Sequence, residues 1–344
     1  MKAAYLTGVR KVEIRDVPKP AIEKDDEVLL RTAVAGLCGS DLHYFIADRI
    51  GSETISYPAI VGHECSAVVE AVGPAVKRWK PGDRVAVEPS ISCGECDQCR
   101  SGRPHTCRKI GFLGHPGERD GCLAEFFTMP ERNLFSVPET MSMTEAMLVE
   151  PLSVALHARS LAGGTLGPAI GVLGTGPIGL CLVQVFKIEG HGKIYATDRS
   201  DARAAAALRA GADWSGNPDR EDIVREIFAR EPLGLDAVFE VSGDAAAIEQ
   251  AFDLVKPGGW IYQIGIPLVD RIPYPAAKLR RKEIAIRNVR RQNRCIKKGL
   301  LLIETKHLDV AWLSTHTFKI EEAELAFATA ADRTDGVLKA SIVF

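Results

Sequence analysis

Two kinds of hydrophobic pattern divide this chain near residue 150. Before that point, short runs of apolar and polar residues are separated by Gly, Pro and charged residues, as in EVLLRTAVAG and SAVVEAVG. From residue 170, longer apolar runs alternate with helical stretches, beginning with AIGVLGTGPIGLCLVQVF. Short interrupted runs are typical of a small antiparallel barrel, whereas strand–helix alternation predicts a parallel, doubly wound sheet. The pattern therefore predicts an α/β protein built from two domains.

The second half of the chain continues the alternation. KIYATD is a predicted strand, and SDARAAAALRAG is a predicted helix with Ser200 as its N-cap and Gly211 as its stop. LDAVFEVSG and GGWIYQIGI are predicted as buried strands on either side of a helical DAAAIEQAFDLVKPGG. After residue 290, the helical EEAELAFATAADRT and the strand KASIVF are expected to return to the first domain. The first domain is thus predicted over 1–153 and 291–344, and the second over 154–290.

Length and composition agree with a two-domain globular protein. The chain has 344 residues, of which 46% are hydrophobic and 26% charged, with a net charge of −2. Acidic and basic residues are mixed and no apolar run reaches membrane length, so neither nucleic acid nor a membrane is an expected partner. The opening MKAAYLTGVRKVEIRDVP lacks the apolar core of a signal peptide, which favours the reducing cytoplasm.

Four of the nine cysteines fall in one segment, SCGECDQCRSGRPHTC. The spacing C-x2-C-x2-C-x7-C lets Cys93, Cys96, Cys99 and Cys107 converge on one centre. A zinc ion with four thiolates has no open position and would be structural. A disulfide pair is disfavoured in a reducing compartment, whereas an iron–sulfur cluster is an alternative centre with the same ligands.

A second, open metal site is predicted from three separate segments. AGLCGSDLHYF contains Cys38, VGHECSAVVEAVG contains His63 and Glu64, and MLVEPLSVALHA contains Glu150. Cys38, His63 and Glu64 would supply sulfur, nitrogen and oxygen ligands, and a catalytic zinc ion takes three protein ligands with a fourth position open. Glu150 would bind the metal directly or through a water molecule.

The stretch AIGVLGTGPIGLCLVQVF has the glycine pattern of a dinucleotide-binding turn between a strand and a helix. Asp198 ends the next strand, where an acid bonds the adenosine ribose and repels a 2′-phosphate, so NAD is predicted over NADP. Arg199 lies beside it and could in principle meet such a phosphate. The predicted cofactor contacts are Gly174, Gly176, Pro177, Ile178, Gly179, Asp198, Arg203, Ser242, Gly265 and Ile266.

Several motifs together carry a family resemblance. In chain order, CGSDLHYF, VGHE, the four-cysteine segment, VEPLSVALHA and GTGPIG resemble the medium-chain zinc alcohol dehydrogenases, above all the sorbitol (polyol) dehydrogenases. The resemblance spans essentially the whole chain. It implies a GroES-like catalytic domain, a Rossmann NAD-binding domain and two zinc ions per chain. It also implies that a secondary hydroxyl of a polyol, such as sorbitol or xylitol, is oxidised to a ketose by hydride transfer to NAD.

The resemblance also assigns roles to residues near the predicted open metal site. They are the catalytic zinc ligands Cys38, His63 and Glu64; Glu150 on or near the metal; the proton carriers Ser40 and His43; and the substrate-pocket residues Tyr44 and Phe112. Core packing is the alternative role for the two aromatic residues.

One segment departs from the family pattern. Polyol enzymes usually carry an Arg–Tyr pair after the last strand of the nucleotide-binding domain, and NVRRQNRC offers Arg291 and Gln292 instead. Both side chains can bond hydroxyl groups and are predicted substrate contacts, but the exact polyol is left open. A dehydrogenase of the same fold acting on threonine, a simple alcohol or a sugar is the alternative.

A third function considered is a non-catalytic dinucleotide- or zinc-binding module, such as a redox sensor. The presence of Ser40 and His43 argues against it, because a sensor needs no proton path. The resemblance also suggests a dimer or tetramer. The strand-like IYQIGIPL is expected near the edge of the sheet, where it could pair with a second copy across a two-fold axis.

Overall fold

A computed structural model describes residues 1–164 and 166–344. The chain forms two compact units. The first comprises Met1–Arg49, Glu53–Ser153 and Asn293–Phe344, and the second comprises Ile50–Ser52 and Val154–Gln292.

Strands dominate the first unit, and strands and helices alternate in the second. The strands are β1 (Lys2–Gly8), β2 (Lys11–Asp16), β3 (Glu27–Gly36), β4 (Arg49–Ile50), β5 (Glu53–Thr54), β6 (Glu64–Val72), β7 (Arg84–Val87), β8 (Ser90–Ile91), β9 (Gly111–Phe112), β10 (Phe126–Pro130), β11 (Leu134–Ser136), β12 (Ala169–Leu173), β13 (Lys193–Thr197), β14 (Trp214–Gly216), β15 (Leu235–Glu240), β16 (Val255–Gln263), β17 (Ala285–Asn288), β18 (Ser314–Lys319) and β19 (Lys339–Val343).

The helices range from one turn to several turns. They are α1 (Gly39–Ala47), α2 (Asp97–Arg100), α3 (Met143–Leu161), α4 (Pro177–Ile188), α5 (Asp201–Ala210), α6 (Ile223–Arg230), α7 (Ala245–Leu254), α8 (Ala276–Lys282), α9 (Ile296–Glu304) and α10 (Ala323–Asp332). Across the described residues, no helix combines the length and the apolar character needed to span a bilayer.

A seven-stranded sheet forms the centre of the first unit. Its strand order is β11-β7-β6-β3-β19-β18, with β10 also pairing with β3. The pairs are antiparallel except β18 with β19. The terminal strand β19, which contains most of KASIVF, joins this sheet beside β3. Non-local pairing therefore brings the last residues of the chain next to residues 34–36.

A six-stranded parallel sheet forms the second unit. The strand order across the sheet is β14-β13-β12-β15-β16-β17. Successive strands are therefore added toward one edge from β12 and toward the other edge from β15. Intervening helices bury apolar residues against the strands, including Ile223, Ile227 and Ile248. The predicted doubly wound sheet is confirmed, and its ligand-binding edge is expected where the carboxyl ends of β12 and β15 adjoin.

Two predictions about the second unit were wrong in detail. The helical stretch DAAAIEQAFDLVKPGG ends at Leu254, and Val255 already begins β16. The Pro and glycines that follow interrupt regular helix, and the pairing of β16 with β15 shifts register at its start. The stretch IYQIGIPL is not at the sheet edge, because β16 is paired with β15 on one side and β17 on the other. Strand β17 forms the edge instead.

Candidate active site

A group of sulfur, nitrogen and oxygen donors lies in the first unit. One donor atom each from Cys38, His63 and Glu64 lies within 4.8 Å of the other two. Cys38 is the N-cap of α1, His63 directly precedes β6, and Glu64 is the first residue of β6. His63 and Glu64 are buried. The fold thus brings together three residues that the sequence proposed as ligands of one ion.

The pairing of β3 with β6 sets this geometry. Gly36, the last residue of β3, pairs with Glu64, and Cys38 follows two positions later. A Cβ atom on Gly36 would lie 2.7 Å from Oε2 of Glu64 and 2.6 Å from Sδ of Met147. Both distances are closer than a Cβ atom can approach. A larger residue here would have to displace the ends of the Glu64 and Met147 side chains, so glycine leaves room for the Glu64 carboxylate in its present place.

Asp41 ties the loops that carry these donors to each other. Its Oδ2 accepts a hydrogen bond from the Cys38 N–H at 2.9 Å, and its Oδ1 accepts one from the Gly62 N–H at 3.2 Å. Oδ1 also lies 3.6 Å from Nδ1 of His63. A carboxylate near Nδ1 favours a proton on that nitrogen, which leaves Nε2 for a metal. Asp41 was not among the predicted site residues, although its position three residues after Cys38 is that of a capping residue.

A buried lysine accompanies the donors. Lys339, the first residue of β19, is 2% exposed and forms an ion pair with Glu64. Its Nζ also donates a hydrogen bond to the Leu37 carbonyl at 2.9 Å. Burial by itself would lower the pKa of Lys339, but the nearby Glu64 and Cys38 raise it on balance, so the ammonium is charged. The sequence did not predict this role for Lys339, because a lysine at the first position of an apolar strand is usually expected to be exposed to solvent.

Glu150, on α3, interacts electrostatically with His63 and Glu64 of the donor group. It is buried, and the group of three mutually close donors does not include it. Burial raises its pKa to about 8, opposed by His63 and reinforced by Glu64 and Glu88. Asp41, Glu64 and Glu150 are acids buried near the ammonium of Lys339. A divalent cation held by these donors would favour their ionised forms, and the sulfur, nitrogen and oxygen set suits zinc.

Four further predicted residues lie around α1 and β9. Ser40 and His43 are partly buried on α1, and burial lowers the pKa of His43, which favours the neutral imidazole. Tyr44 is buried on the same helix. The ring of Phe112 lies 5.0 Å from the ring of His63, centroid to centroid. Phe112 therefore packs directly against a residue of the donor group.

The two residues predicted to contact substrate after β17 lie in the second unit. Arg291 has a left-handed backbone with φ 53°, and Gln292 is buried. The next residue, Asn293, belongs to the first unit, where its Nδ2 donates a hydrogen bond to the Gly102 carbonyl at 3.0 Å. This bond attaches the chain after Gln292 to the four-cysteine loop.

The four-cysteine loop gathers its thiols around one point. Sγ–Sγ distances are 3.4 Å for Cys93 and Cys107, 3.5 Å for Cys96 and Cys99, and 3.9 Å for Cys93 and Cys99. Four thiolates at tetrahedral zinc are about 3.8 Å apart, and a disulfide requires about 2.05 Å. Backbone N–H groups of Arg108 and Cys99 lower the pKa of Cys96 to about 6. The loop therefore fits one small ion bound by thiolates.

The predicted cofactor turn follows β12 in the second unit. Gly174 has φ 98°, and a Cβ on Gly179 would lie 2.1 Å from the Gly174 carbonyl oxygen, so both positions require glycine. A Cβ on Gly176 would meet only a guanidinium nitrogen of Arg203 at 3.7 Å. Gly176 thus leaves open space at the N-cap of α4, where Pro177 and Ile178 begin the helix. Open space at a helix N-terminus suits a phosphate group.

Asp198 links that turn to the start of α5. Its Oδ2 accepts a hydrogen bond from the Thr175 N–H and its Oδ1 accepts one from the Ser200 N–H, both at 2.9 Å. Each carboxylate oxygen retains a second lone pair for a further donor. Arg199 is bonded to Asp219 at 3.0 Å on the exposed surface.

Two family models match this chain, one in its N-terminal part and one in its C-terminal part. Residues 24–139 match the alcohol dehydrogenase GroES-like domain, and residues 177–304 match the zinc-binding dehydrogenase domain. Sorbitol dehydrogenase of Bacillus subtilis (strain 168) is 35% identical over 99% of this chain and 97% of that protein. The chain belongs to the zinc-binding, medium-chain alcohol dehydrogenase family, and it is an oxidoreductase.

Two solved structures illustrate the similarity of fold. A zinc-binding dehydrogenase from Sinorhizobium meliloti 1021, bound to NADP, superposes with a TM-score of 0.89 at 27% identity, over 100% of this chain and 99% of that one. An alcohol dehydrogenase from E. coli CFT073, complexed with NADH, gives a TM-score of 0.88 at 27% identity and the same coverage. One of these two structural relatives thus binds NADP and the other binds NADH.

Replacing a loop thiolate should remove one metal ion without unfolding the donor group on β3 and β6. We expect Cys99→Ser to lower bound zinc from about two ions per chain to about one, and to lower the melting temperature, because a structural ion contributes folding free energy. Elemental analysis and thermal denaturation measure both. Cys181→Ala, a buried cysteine on α4, is the control and should retain all the zinc. Iron in the purified protein, or one zinc ion in the unmutated chain, would contradict the expectation.

Removing the Lys339 ammonium should matter most when no metal is present. Breaking a buried ion pair from one side costs about 3–5 kcal/mol, and a bound cation would supply part of the missing positive charge. We expect Lys339→Met to lower the free energy of unfolding more in chelator-treated protein than in zinc-loaded protein. Urea denaturation with and without chelator measures the difference, with Lys339→Arg as the charge-retaining control. Equal losses in both states would show that Lys339 does not compensate the charge of the donor group.

Proposed function

We propose that this protein oxidises a secondary hydroxyl of a polyol, such as sorbitol or xylitol, to the ketose with NAD as the hydride acceptor. The observation that carries the proposal is the buried donor group of Cys38, His63 and Glu64 beside Glu150. The similarity to sorbitol dehydrogenase over nearly the whole chain supports the substrate class. Atoms balance as one polyol and one NAD⁺ giving one ketose, one NADH and one proton.

Cys38, His63 and Glu64 would hold the catalytic zinc ion, and Glu150 would act on it from a position outside the ligand set. Held by these residues, a zinc ion would supply the Lewis acid that lowers the pKa of a substrate hydroxyl, and a bound nicotinamide cofactor would supply the hydride acceptor. Asp41 keeps the His63 imidazole oriented through Nδ1. Cys93, Cys96, Cys99 and Cys107 would hold a second zinc ion that has a structural role.

The chain must also remove the proton that the substrate hydroxyl loses. Ser40 and His43 are close in sequence on α1, and the lowered pKa of His43 keeps it able to accept a proton near neutral pH. Ser40 would pass the proton on, and His43 would deliver it to solvent. Phe112, packed on His63, and Tyr44 would bound the substrate pocket, with Arg291 and Gln292 bonding its distal hydroxyls.

The cofactor would lie along the turn after β12. Gly174, Gly176 and Gly179 shape that turn, Pro177 and Ile178 present the helix N-terminus to the pyrophosphate, and Asp198 is available to the adenosine ribose. Arg199, which is engaged by Asp219, gives little support to binding of a 2′-phosphate. Arg203, Ser242, Gly265 and Ile266 complete the proposed contacts.

Compartment and assembly are the remaining parts of the proposal. The nine cysteines all lie within the described residues and none forms a disulfide, which supports a reducing compartment such as the cytoplasm. The edge strand β17 exposes Ile286 (41%), and within residues 1–164 and 166–344 its outer side pairs with no other strand. We propose a homo-oligomer in which β17 meets a second copy.

A substrate panel tests the reaction. Zinc-loaded protein with NAD should form NADH from sorbitol or xylitol at a kcat/KM at least about tenfold above that for threonine or ethanol, a difference that corresponds to about 1.4 kcal/mol. Absorbance at the NADH band measures the rates, and chelator-treated protein serves as the control. Oxidation of threonine but of no polyol would overturn the substrate class while leaving the family intact.

Cofactor choice is tested at Asp198. We expect the unmutated enzyme to favour NAD over NADP by at least about a hundredfold in kcat/KM, since a carboxylate repels the 2′-phosphate. Asp198→Ala should narrow this ratio, mainly by raising the KM for NAD. Asp219→Ala, which removes the bonds between Asp219 and Arg199 but leaves Asp198 in place, is the matched control. Comparable efficiency with both cofactors before mutation would refute the NAD assignment.

A further inference from the structure

A buried carboxyl group closes the carboxyl end of β15. Glu240 is the last residue of that strand and is 0% exposed. Its Oε1 accepts three hydrogen bonds, from the Ser242 N–H at 2.7 Å, the Ser242 Oγ–H at 2.6 Å and the Gly243 N–H at 2.8 Å. One oxygen atom therefore holds the whole turn that follows the strand.

That turn is packed against two neighbouring turns, backbone to backbone. A Cβ on Gly174 would lie 2.6 Å from the Ser242 nitrogen, and one on Gly243 would lie 2.4 Å from the Ile266 carbonyl oxygen. A Cβ on Gly265 would lie 2.0 Å from the Gly243 nitrogen. Such close contacts transmit a shift of the Ser242–Gly243 turn to the turns after β12 and β16.

The second oxygen of Glu240 has a different environment. In the described part of the chain, Oε2 has no hydrogen-bond partner and lies beneath Gly265, 2.8 Å from where a Cβ would be. Burial raises the pKa of Glu240, which favours the neutral acid over the carboxylate. These observations indicate that the side chain acts as a hydrogen-bond acceptor through Oε1, not as a buried charge.

The strand order identifies the part of the cofactor that these turns would face. In a doubly wound sheet each half binds one mononucleotide, and β12 and β15 lie on either side of the reversal. The adenosine half belongs to the β12–β13 side, where Asp198 lies. The turns after β15 and β16 belong to the other half, which takes the nicotinamide nucleotide.

We propose that Glu240 is a positioning residue for the nicotinamide half of the cofactor, acting through the Ser242–Gly243 turn. This inference rests on the proposed binding of NAD at this edge of the sheet. Glu240 itself touches neither cofactor nor substrate. By fixing the turns after β15 and β16, it sets where the nicotinamide ring lies. The adenosine half has a second support, because Asp198 accepts hydrogen bonds from Thr175 in the glycine turn and from Ser200 at the start of α5.

Binding of NADH and of ADP-ribose, which lacks the nicotinamide ring, separates this role from general destabilisation. Glu240→Met keeps the size of the side chain but removes the acceptor, and should weaken NADH binding about tenfold or more while changing ADP-ribose binding by less than about threefold. Glu240→Gln retains a carbonyl acceptor and should stay within about threefold of the unmutated enzyme for both ligands. With sorbitol or xylitol as the substrate, Glu240→Met should also enlarge the primary deuterium isotope effect on kcat.

Two further variants keep the test decisive. Asp236→Asn alters a half-buried acid near the opposite end of β15, where Asp236 accepts a hydrogen bond from the Ala169 N–H at 2.9 Å, and it should not change the ratio of NADH to ADP-ribose affinity. Gly265→Ala displaces the same turns through the Gly243 backbone and retains the Glu240 carboxyl group, although its Cβ would also press on Oε2. It should reproduce the selective loss of NADH even if Glu240→Met does not fold.

Three results would overturn the inference. They are an equal loss of NADH and ADP-ribose affinity in Glu240→Met and Gly265→Ala, a Glu240→Gln variant as impaired as Glu240→Met, and unaltered NADH binding in Glu240→Met. If the unmutated protein binds ADP-ribose and NADH, the cofactor proposal stands whichever of these is found. If it binds neither, the proposed function and this inference fall together.

Discussion

The buried ion pair between Lys339 and Glu64 is the interaction on which the first unit depends. It joins the C-terminal strand to β6 across β3, at the point where the chain turns toward Cys38. Several buried acids and a thiol cluster there, and a buried anion without a partner is costly. A lysine delivered by the last strand therefore stabilises a donor group whose members lie far apart in the sequence. The antiparallel register that pairs Gly36 with Glu64 makes the arrangement sterically possible.

Buried carboxyl groups have the same organising role in the second unit. Asp198 accepts backbone N–H groups from the cofactor turn and from the start of α5, and Glu240 accepts those of the turn after β15. Turn N–H groups that no strand or helix satisfies would otherwise need water. Each acid thus rigidifies a loop at the edge where ligands bind, and the glycines allow those loops to touch. The buried acids of the two units therefore differ in their partners. Glu64 in the first unit pairs with a charged ammonium, whereas Asp198 and Glu240 in the second accept hydrogen bonds from backbone N–H groups.

The sequence predicted features that depend on local pattern. Strand and helix alternation identified the parallel sheet, and cysteine spacing identified a convergent thiol loop whose Sγ atoms lie close together. It missed Lys339 and Glu240, because their environment is created by pairing between distant strands and by a turn that folds back on its own strand. It also misjudged the sheet edge, since nothing local distinguishes β16, which is paired on both sides, from the short β17. Periodicity reports which face of a strand is buried, but not which strand lies next to it.

The four-cysteine loop and the donor group of Cys38, His63 and Glu64 differ in how the surrounding protein balances their charge. Around the four cysteines the nearby cations are Arg108 and Lys109, which are exposed and paired with Asp97 and Glu95. Thiolates there depend on an ion for compensation, so the loop and its ion should be gained or lost together. Around Cys38 and Glu64, the buried Lys339 supplies a permanent positive charge and Asp41 fixes the imidazole. This second group can keep its shape when the metal leaves, because strands β3, β6 and β19 hold it, and a preformed site binds a metal without refolding. The protein groups around these two clusters thus differ in the way expected of the proposed structural and catalytic metal positions.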